Sequence, residues 1–186
     1  MKVNFKHLVL LPLLFSLGLL GGCAAPAKVT SMTVMPAHHE VAGNNSALKN
    51  KVIVSSVTGG EETNPMWTSE IDSAGFKKAL EDSLKFAGLA DMGQSAASYR
   101  LETQLLSVNQ PLVGFDMTVT VVAAYKLYNA ANEKLVWSKQ YSSPYTATVS
   151  DAFVGFQRLQ LANEGSAKAN IKMLVDHLLQ MEKKDL

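Results

Sequence analysis

Cysteine occurs once in this 186-residue chain, at Cys23, so no disulfide can form within it and the fold must be held by its core. Excess charge is also missing. The 17 Lys and Arg face 16 Asp and Glu, and no basic stripe gathers the cations. That removes the counterion release on which binding to a phosphate backbone depends, so no nucleic-acid partner is expected. The chain further lacks an apolar run near the roughly 20 residues that a membrane-crossing helix requires. Leu8 to Leu20 reaches only about 13. Histidine is scarce, with His7, His38, His39 and His177 as the 4 imidazoles.

These shortages weigh against catalysis. There is no Gly-x-Ser-x-Gly elbow, and an enzyme would have to draw on His177, Asp116 and Asp151, which no motif links. No catalytic residue is expected. His38-His39-Glu40 stands in a polar stretch where neighbouring side chains lack a preorganised metal geometry, so no metal site is expected either. Thr58-Gly59-Gly60-Glu61-Glu62 lacks the Gly-Lys-Ser/Thr ending of a phosphate loop, and its carboxylates would repel phosphate.

What is present begins with a leader. Lys2, Lys6 and His7 form a charged start, Leu8 to Leu20 an apolar stretch interrupted by Pro12, Ser16 and Gly18, and small residues follow. This is the layout of a secretory signal, expected over residues 1–22. The junction Leu20-Gly21-Gly22-Cys23 resembles the lipobox of bacterial lipoproteins. The resemblance implies that Leu20, Gly21 and Gly22 are read by the signal peptidase and that Cys23 is lipidated. Diacylglycerol on its sulfur and an acyl group on its new amino terminus would make the membrane a partner through the anchor. Several acyl chains are needed, because a single myristoyl chain binds only marginally. No other cofactor is expected. Position 24 is Ala rather than Asp, which in the resembled lipoproteins implies the outer membrane, periplasmic side.

Residues 23–50 are rich in Ala, Pro, Ser, Asn and Gly without a period, so they read as the lipidated cysteine and a flexible tether, with a short edge strand possible over Val29 to Met35. A single α+β domain is expected over residues 51–183. Lys51 to Val57 is a β-branched run and predicts a buried strand. Ser69 and Asp72 resemble a capping box opening a helix that carries Phe76, Leu80 and Leu84 and stops at Gly88. Tyr99 to Leu105 alternates at the period of a strand, as does Phe115 to Leu127. Asn129 to Asn132 predicts a hairpin turn into a strand with Leu135, Trp137 and Tyr141, and Ser142 to Asp151 a looser approach to the last helix. That helix is expected from about Gln157 to Lys183. Its apolar stripe is Leu161, Ala167, Ile171, Leu174, Val175, Leu178 and Met181, and Gly165 should weaken it. The order β-α-β-β-β-α predicts a two-layer sandwich: a mixed, mainly antiparallel sheet with two helices on one face.

Two surfaces stand out. The strand positions pointing away from the dry side hold Gln104, Leu106, Thr118, Thr120, Val122, Ala124, Ser138 and Gln140, small or uncharged residues that a protein partner can cover at low desolvation cost. Phe153 and Phe156, in the loop before the last helix, are a second candidate contact. Phe115, Tyr125, Trp137 and Tyr141 offer a rival reading, an aromatic pocket for a lipid or glycan between helices and sheet.

Across Lys51 to Met181 the layout resembles small envelope lipoproteins of the YajG type and, more distantly, the lipopolysaccharide-assembly lipoprotein LptE. Val52-Ile53-Val54-Ser55-Ser56-Val57, the helix through Phe76 and Leu80, and Leu135-Val136-Trp137-Ser138 are similar to the penicillin-binding-protein activator LpoB. The resemblance implies a noncatalytic module that assists a larger envelope machine, with an envelope protein as partner.

Overall fold

The computed structural model describes residues 24–38, 41, 45–64, 69–93 and 97–186. The signal, Leu20, Gly21, Gly22 and Cys23, and also His39 and Glu40, lie outside the described residues. In chain order the elements are a one-turn helix α1 (Val29–Met32), β1 (Val52–Thr58), α2 (Ser73–Phe86), β2 (Tyr99–Asn109), β3 (Met117–Asn129), β4 (Leu135–Ala147) and α3 (Gly155–Gln180). A 3-10 turn, Lys183–Asp185, follows.

The four strands form one sheet in the order β1-β2-β3-β4. β1 pairs parallel with β2, the other pairs are antiparallel, and the helices cover one face, giving the expected α+β sandwich. β3 is the spine of the core. Its alternate residues Met117, Val119, Val121, Ala123, Tyr125 and Leu127 are all buried, as the two-residue period of a strand dictates. Against them α2 sets Phe76, Leu80 and Leu84, and α3 sets Ile171, Leu174, Val175 and Leu178. Burying a large aliphatic or aromatic side chain contributes about 1.5–3 kcal/mol over leaving it exposed.

Several expectations need correction. The N-cap of α2 is Asp72, whose Oδ1 accepts from the Gly75 amide at 2.7 Å; Ser69 is buried before the helix instead. Gly88 ends the helix as expected, at φ +67 in the left-handed region where a Cβ is disfavoured. Phe115 does not join the dry row of β3, because pairing with β4 begins at Met117 and nothing lies over the residue beyond it. Residues 142–147 continue β4 rather than loosening into a loop. Pro144 is tolerated there because β4 is an edge strand, and the buried Ser143 hydroxyl donates to the Ser166 carbonyl at 2.9 Å. In α3 Leu161 is partly exposed while the rest of the predicted stripe is buried.

The expected tether is packed. Val29–Met32 is a helical turn and not an edge strand, and Ala27, Met32, Val34 and Leu48 all enter the core. Polar contacts fix the same segment: the Val34 amide donates to Ser83 Oγ at 2.9 Å, Ser46 Oγ to the Leu178 carbonyl at 2.6 Å and the Ala47 amide to the Met181 carbonyl at 3.0 Å. Isolated apolar residues that dock singly leave no period for a sequence to display.

Candidate interaction surface

The sheet face opposite the helices is open, and it carries the predicted set. Gln104, Leu106, Thr118, Ser138 and Gln140 are exposed, and Thr120, Val122 and Ala124 are half-buried by their neighbours. The register places Gln104, Ala124 and Gln140 on one rung across β2, β3 and β4. Val122 faces Ser142, Thr120 faces Pro144, and the Thr118 and Thr146 hydroxyls hydrogen-bond at 2.8 Å.

Among the paired strand residues of this face, charge is gathered at the other end; beyond the strand ends, Asp116 precedes Thr118, and Glu61 and Glu70 line a recess with Leu106. Glu102 pairs with Lys126 in the register, and Arg100 bonds to Glu133 and Glu102 and lies over the Tyr128 ring at 4.9 Å. The hydrogen bond that Arg100 donates to Glu133, and then that to Glu102, raise the Arg100 pKa above its ordinary value. The strand rungs of the face are therefore divided into an ionic end and an uncharged end built from Thr, Val, Ala, Ser, Gln and Pro.

The aromatic residues do not frame a pocket between helices and sheet. Tyr125 is fully buried, its ring 6.0 Å from that of Tyr141, and its hydroxyl donates to Asn170 Oδ1 at 2.7 Å. Burial pushes the Tyr125 phenol far above its usual range. Trp137 stacks on His177 at 5.0 Å, beside an open recess of about 400 Å³ that Gln180, Met181 and Asp185 complete. Burial, then the charge of Lys139, lowers the His177 pKa from 6.5. His177 is also far from the acids considered with it. Asp151 precedes α3 and Asp116 precedes β3, whereas His177 lies about 33 Å along α3 from Gly155. Among the described residues no group of His, Cys, Asp or Glu is placed to hold a metal ion, and no helix is long and apolar enough to cross a membrane.

Neither Phe153 nor Phe156 is on a strand of the open face, and only Phe153 lies in the loop before the last helix. Phe153 is exposed at the end of the domain where α3 begins, while Phe156, in the first turn of α3, is half-buried. Sequence reasoning missed the companions of Phe153. Leu112, Val113 and Phe115 stand exposed in the β2–β3 loop, and Arg158 joins that loop to Phe153. The signal was legible in Pro111-Leu112-Val113-Gly114-Phe115, where an apolar string stands between two turn residues and off the strand period. Beside this end Asp151 accepts from the Thr148 amide at 2.7 Å, and that bond holds its carboxyl below the usual range.

No family model and no curated protein sequence matches the chain. Its fold is nevertheless found in solved structures. A Caulobacter crescentus protein classed with the lipoproteins is 18% identical, with a TM-score of 0.50 over 75% of this chain and 95% of its own. A Xanthomonas campestris protein of the DUF330 family is 13% identical, with a TM-score of 0.53 over 73% of this chain and 88% of its own. At these identities the likeness is one of fold: an α+β sandwich of the kind a bacterial lipoprotein adopts. These two structures lend no support to the narrower resemblance to the YajG, LptE or LpoB proteins.

Proposed function

We propose that this chain is a noncatalytic envelope lipoprotein, held by acyl chains on Cys23, that docks a protein partner on the uncharged end of its open sheet face. The observation that carries the reading is the division of that face. Thr118, Thr120, Val122 and Ala124 form a row that no helix among the described residues covers, with the strand-borne ion pairs gathered at the far end. Such a surface loses little solvation when covered, and the fully covered core of an interface is poor in charge. The lipobox, the secretory leader and the fold of the Caulobacter relative support the anchor, and Ala24 supports the outer membrane, periplasmic side.

The partner this surface fits is a protein with its own uncharged sheet face or strand, because the row runs the length of several strand rungs and carries no charge. The test is crosslinking in cells from photoreactive residues placed at Thr118 and Gln140. A single crosslinked protein should appear, and Thr120→Lys with Val122→Lys should abolish it while the thermal transition is retained. Crosslinking that persists in that double variant discards this surface.

A further inference from the structure

We infer that the apolar tip formed by Leu112, Val113, Phe115 and Phe153 is a bilayer-contact surface that seats the domain end-on against the membrane carrying its lipids. The inference deepens the reading of a lipid-anchored protein and rests on it. These four side chains are 91%, 85%, 85% and 87% exposed, so they contribute almost nothing to the core. Large apolar residues exposed this fully, and clustered, mark a surface that something else covers.

The tip is built rather than frayed. Arg158, itself buried, donates through Nη1 to the carbonyls of Ala152 and Phe153 at 2.8 and 2.6 Å and through Nη2 to the Gly114 carbonyl at 3.4 Å. One guanidinium thus ties together the two loops that bear the apolar residues. It also supplies its charge to backbone carbonyls inside the protein, leaving the tip without an exposed cation from this source.

The occupant is indicated by where the chain enters the domain. The Pro26 carbonyl accepts from Gln160 Nε2 at 2.9 Å, and the Lys28 amide donates to Glu164 at 2.9 Å. The Ala27 amide donates to the carbonyl of Glu70, whose carboxylate accepts from Gln110 at 2.5 Å, where the β2–β3 loop starts. Gln160 is about 8 Å along α3 from Gly155. Cys23 is three residues before Pro26, a reach of about 10 Å even for extended chain. The chain therefore enters the domain at the end that bears the tip, within that reach of the proposed lipid site. An anchor this short brings that end to the lipid surface, where apolar side chains settle about 5–10 Å into the headgroup–acyl boundary. The exposed acids Asp116 and Asp151 beside the tip give anionic lipid no attraction, so the contact is hydrophobic in origin.

The test uses the full lipoprotein reconstituted in phosphatidylethanolamine–phosphatidylglycerol vesicles, with Phe153→Trp, Phe115→Trp and, near the opposite end, Lys184→Trp. The added indole is read as the difference from the parent, which holds Trp67 and Trp137. Emission at 153 and 115 should shift to the blue and fall about twofold with brominated acyl chains, as expected at that depth, while 184 stays water-like. Replacing phosphatidylglycerol with phosphatidylcholine should weaken neither result. Intact mass reports separately on acylation of Cys23. Acylated protein whose 153 and 115 indoles remain in water overturns the inference and leaves the anchor standing. Blue-shifted, quenched indoles in protein without acyl chains sustain the tip and remove the anchor. Water-like indoles in unacylated protein overturn both. A shift that grows with protein density at constant lipid, without quenching, assigns the tip to a second copy and overturns the inference.

Discussion

Tyr125 on β3 donates its hydroxyl proton to Asn170 of α3 across the sheet–helix interface, at 2.7 Å and with both side chains fully buried. Asn170 is the hub of a wider polar cluster. Its Nδ2 donates to the Val121 and Tyr141 carbonyls at 3.2 and 3.1 Å and to Ser143 Oγ at 3.0 Å, and Ser166 Oγ accepts from the Val121 amide at 2.8 Å. The cluster specifies how α3 sits on the sheet, because a one-residue rotation of the helix would strand each of these groups without water.

Tyr125→Phe should therefore destabilise the fold by about 1–3 kcal/mol, the cost of leaving the buried Asn170 oxygen unpaired. Asn170→Leu should cost more, since it leaves the phenol without its acceptor and removes the donor to the Val121 and Tyr141 carbonyls and Ser143 Oγ. The double variant should lose less than the sum of the two, because the residues share one bond. Urea unfolding of the four proteins gives the coupling energy. A raised Tyr125 pKa carries a second expectation: its phenol should not ionise in the folded state as pH passes 10.

The sheet and both long helices were legible because their signals are periodic. Met117 to Leu127 alternates over the whole of β3, and Phe76, Leu80 and Leu84 repeat on one side of α2. The open-face residues followed from the same alternation: once Val119 and Val121 are inside, Thr118, Thr120 and Val122 are outside. The rest was hidden for two reasons. Asn163, Ser166 and Asn170 carry no apolar signal, yet they are buried because β3, β4 and the chain before α2 offer them partners. Met32 and Leu48 are fully buried single residues in polar sequence, and which groove each fills is a tertiary fact.

Gly165 looked like a weak point in α3, but it is a close approach. A Cβ there would overlap the ring of Tyr145, which lies across the glycine from β4. Gly165→Ala should lower the melting temperature even though it raises helix propensity. In a Tyr145→Ala background the sign should reverse, with alanine now stabilising by about 0.8–1.0 kcal/mol. If alanine stabilises in both backgrounds, the ring moves aside freely and the contact carries no weight.

His177 gives the fold a pH dependence of defined sign. Its folded pKa lies below the 6.5 of the free side chain, so the unfolded chain binds the proton more tightly. Stability from this group is complete above 6.5 and falls as pH drops toward the lowered folded value. Melting temperatures recorded between about pH 7.5 and pH 5 should decline, and His177→Gln should flatten the part that this imidazole contributes. Trp137 fluorescence should report the same transition through the stacked ring, provided Trp67 is subtracted.

Leu48 decides between a flexible tether and a packed arm. It is fully buried, its amide accepted by Ser46 Oγ at 3.2 Å, in a segment whose composition alone suggested a solvated leash. In a leash Leu48→Ala would leave the urea midpoint unchanged. In the packed arm it deletes core volume and should cost about 2–5 kcal/mol, as should Met32→Ala. The consequence reaches the membrane. With the proposed lipid on Cys23, a chain bound to the core from Ala27 onward would leave only residues 23–26 between lipid and domain and would hold the domain close to the bilayer with a restricted orientation. Releasing the arm with Met32→Ala and Leu48→Ala together should lengthen the leash and increase protease access to the sites near Phe153, which limited proteolysis of vesicle-bound protein measures directly.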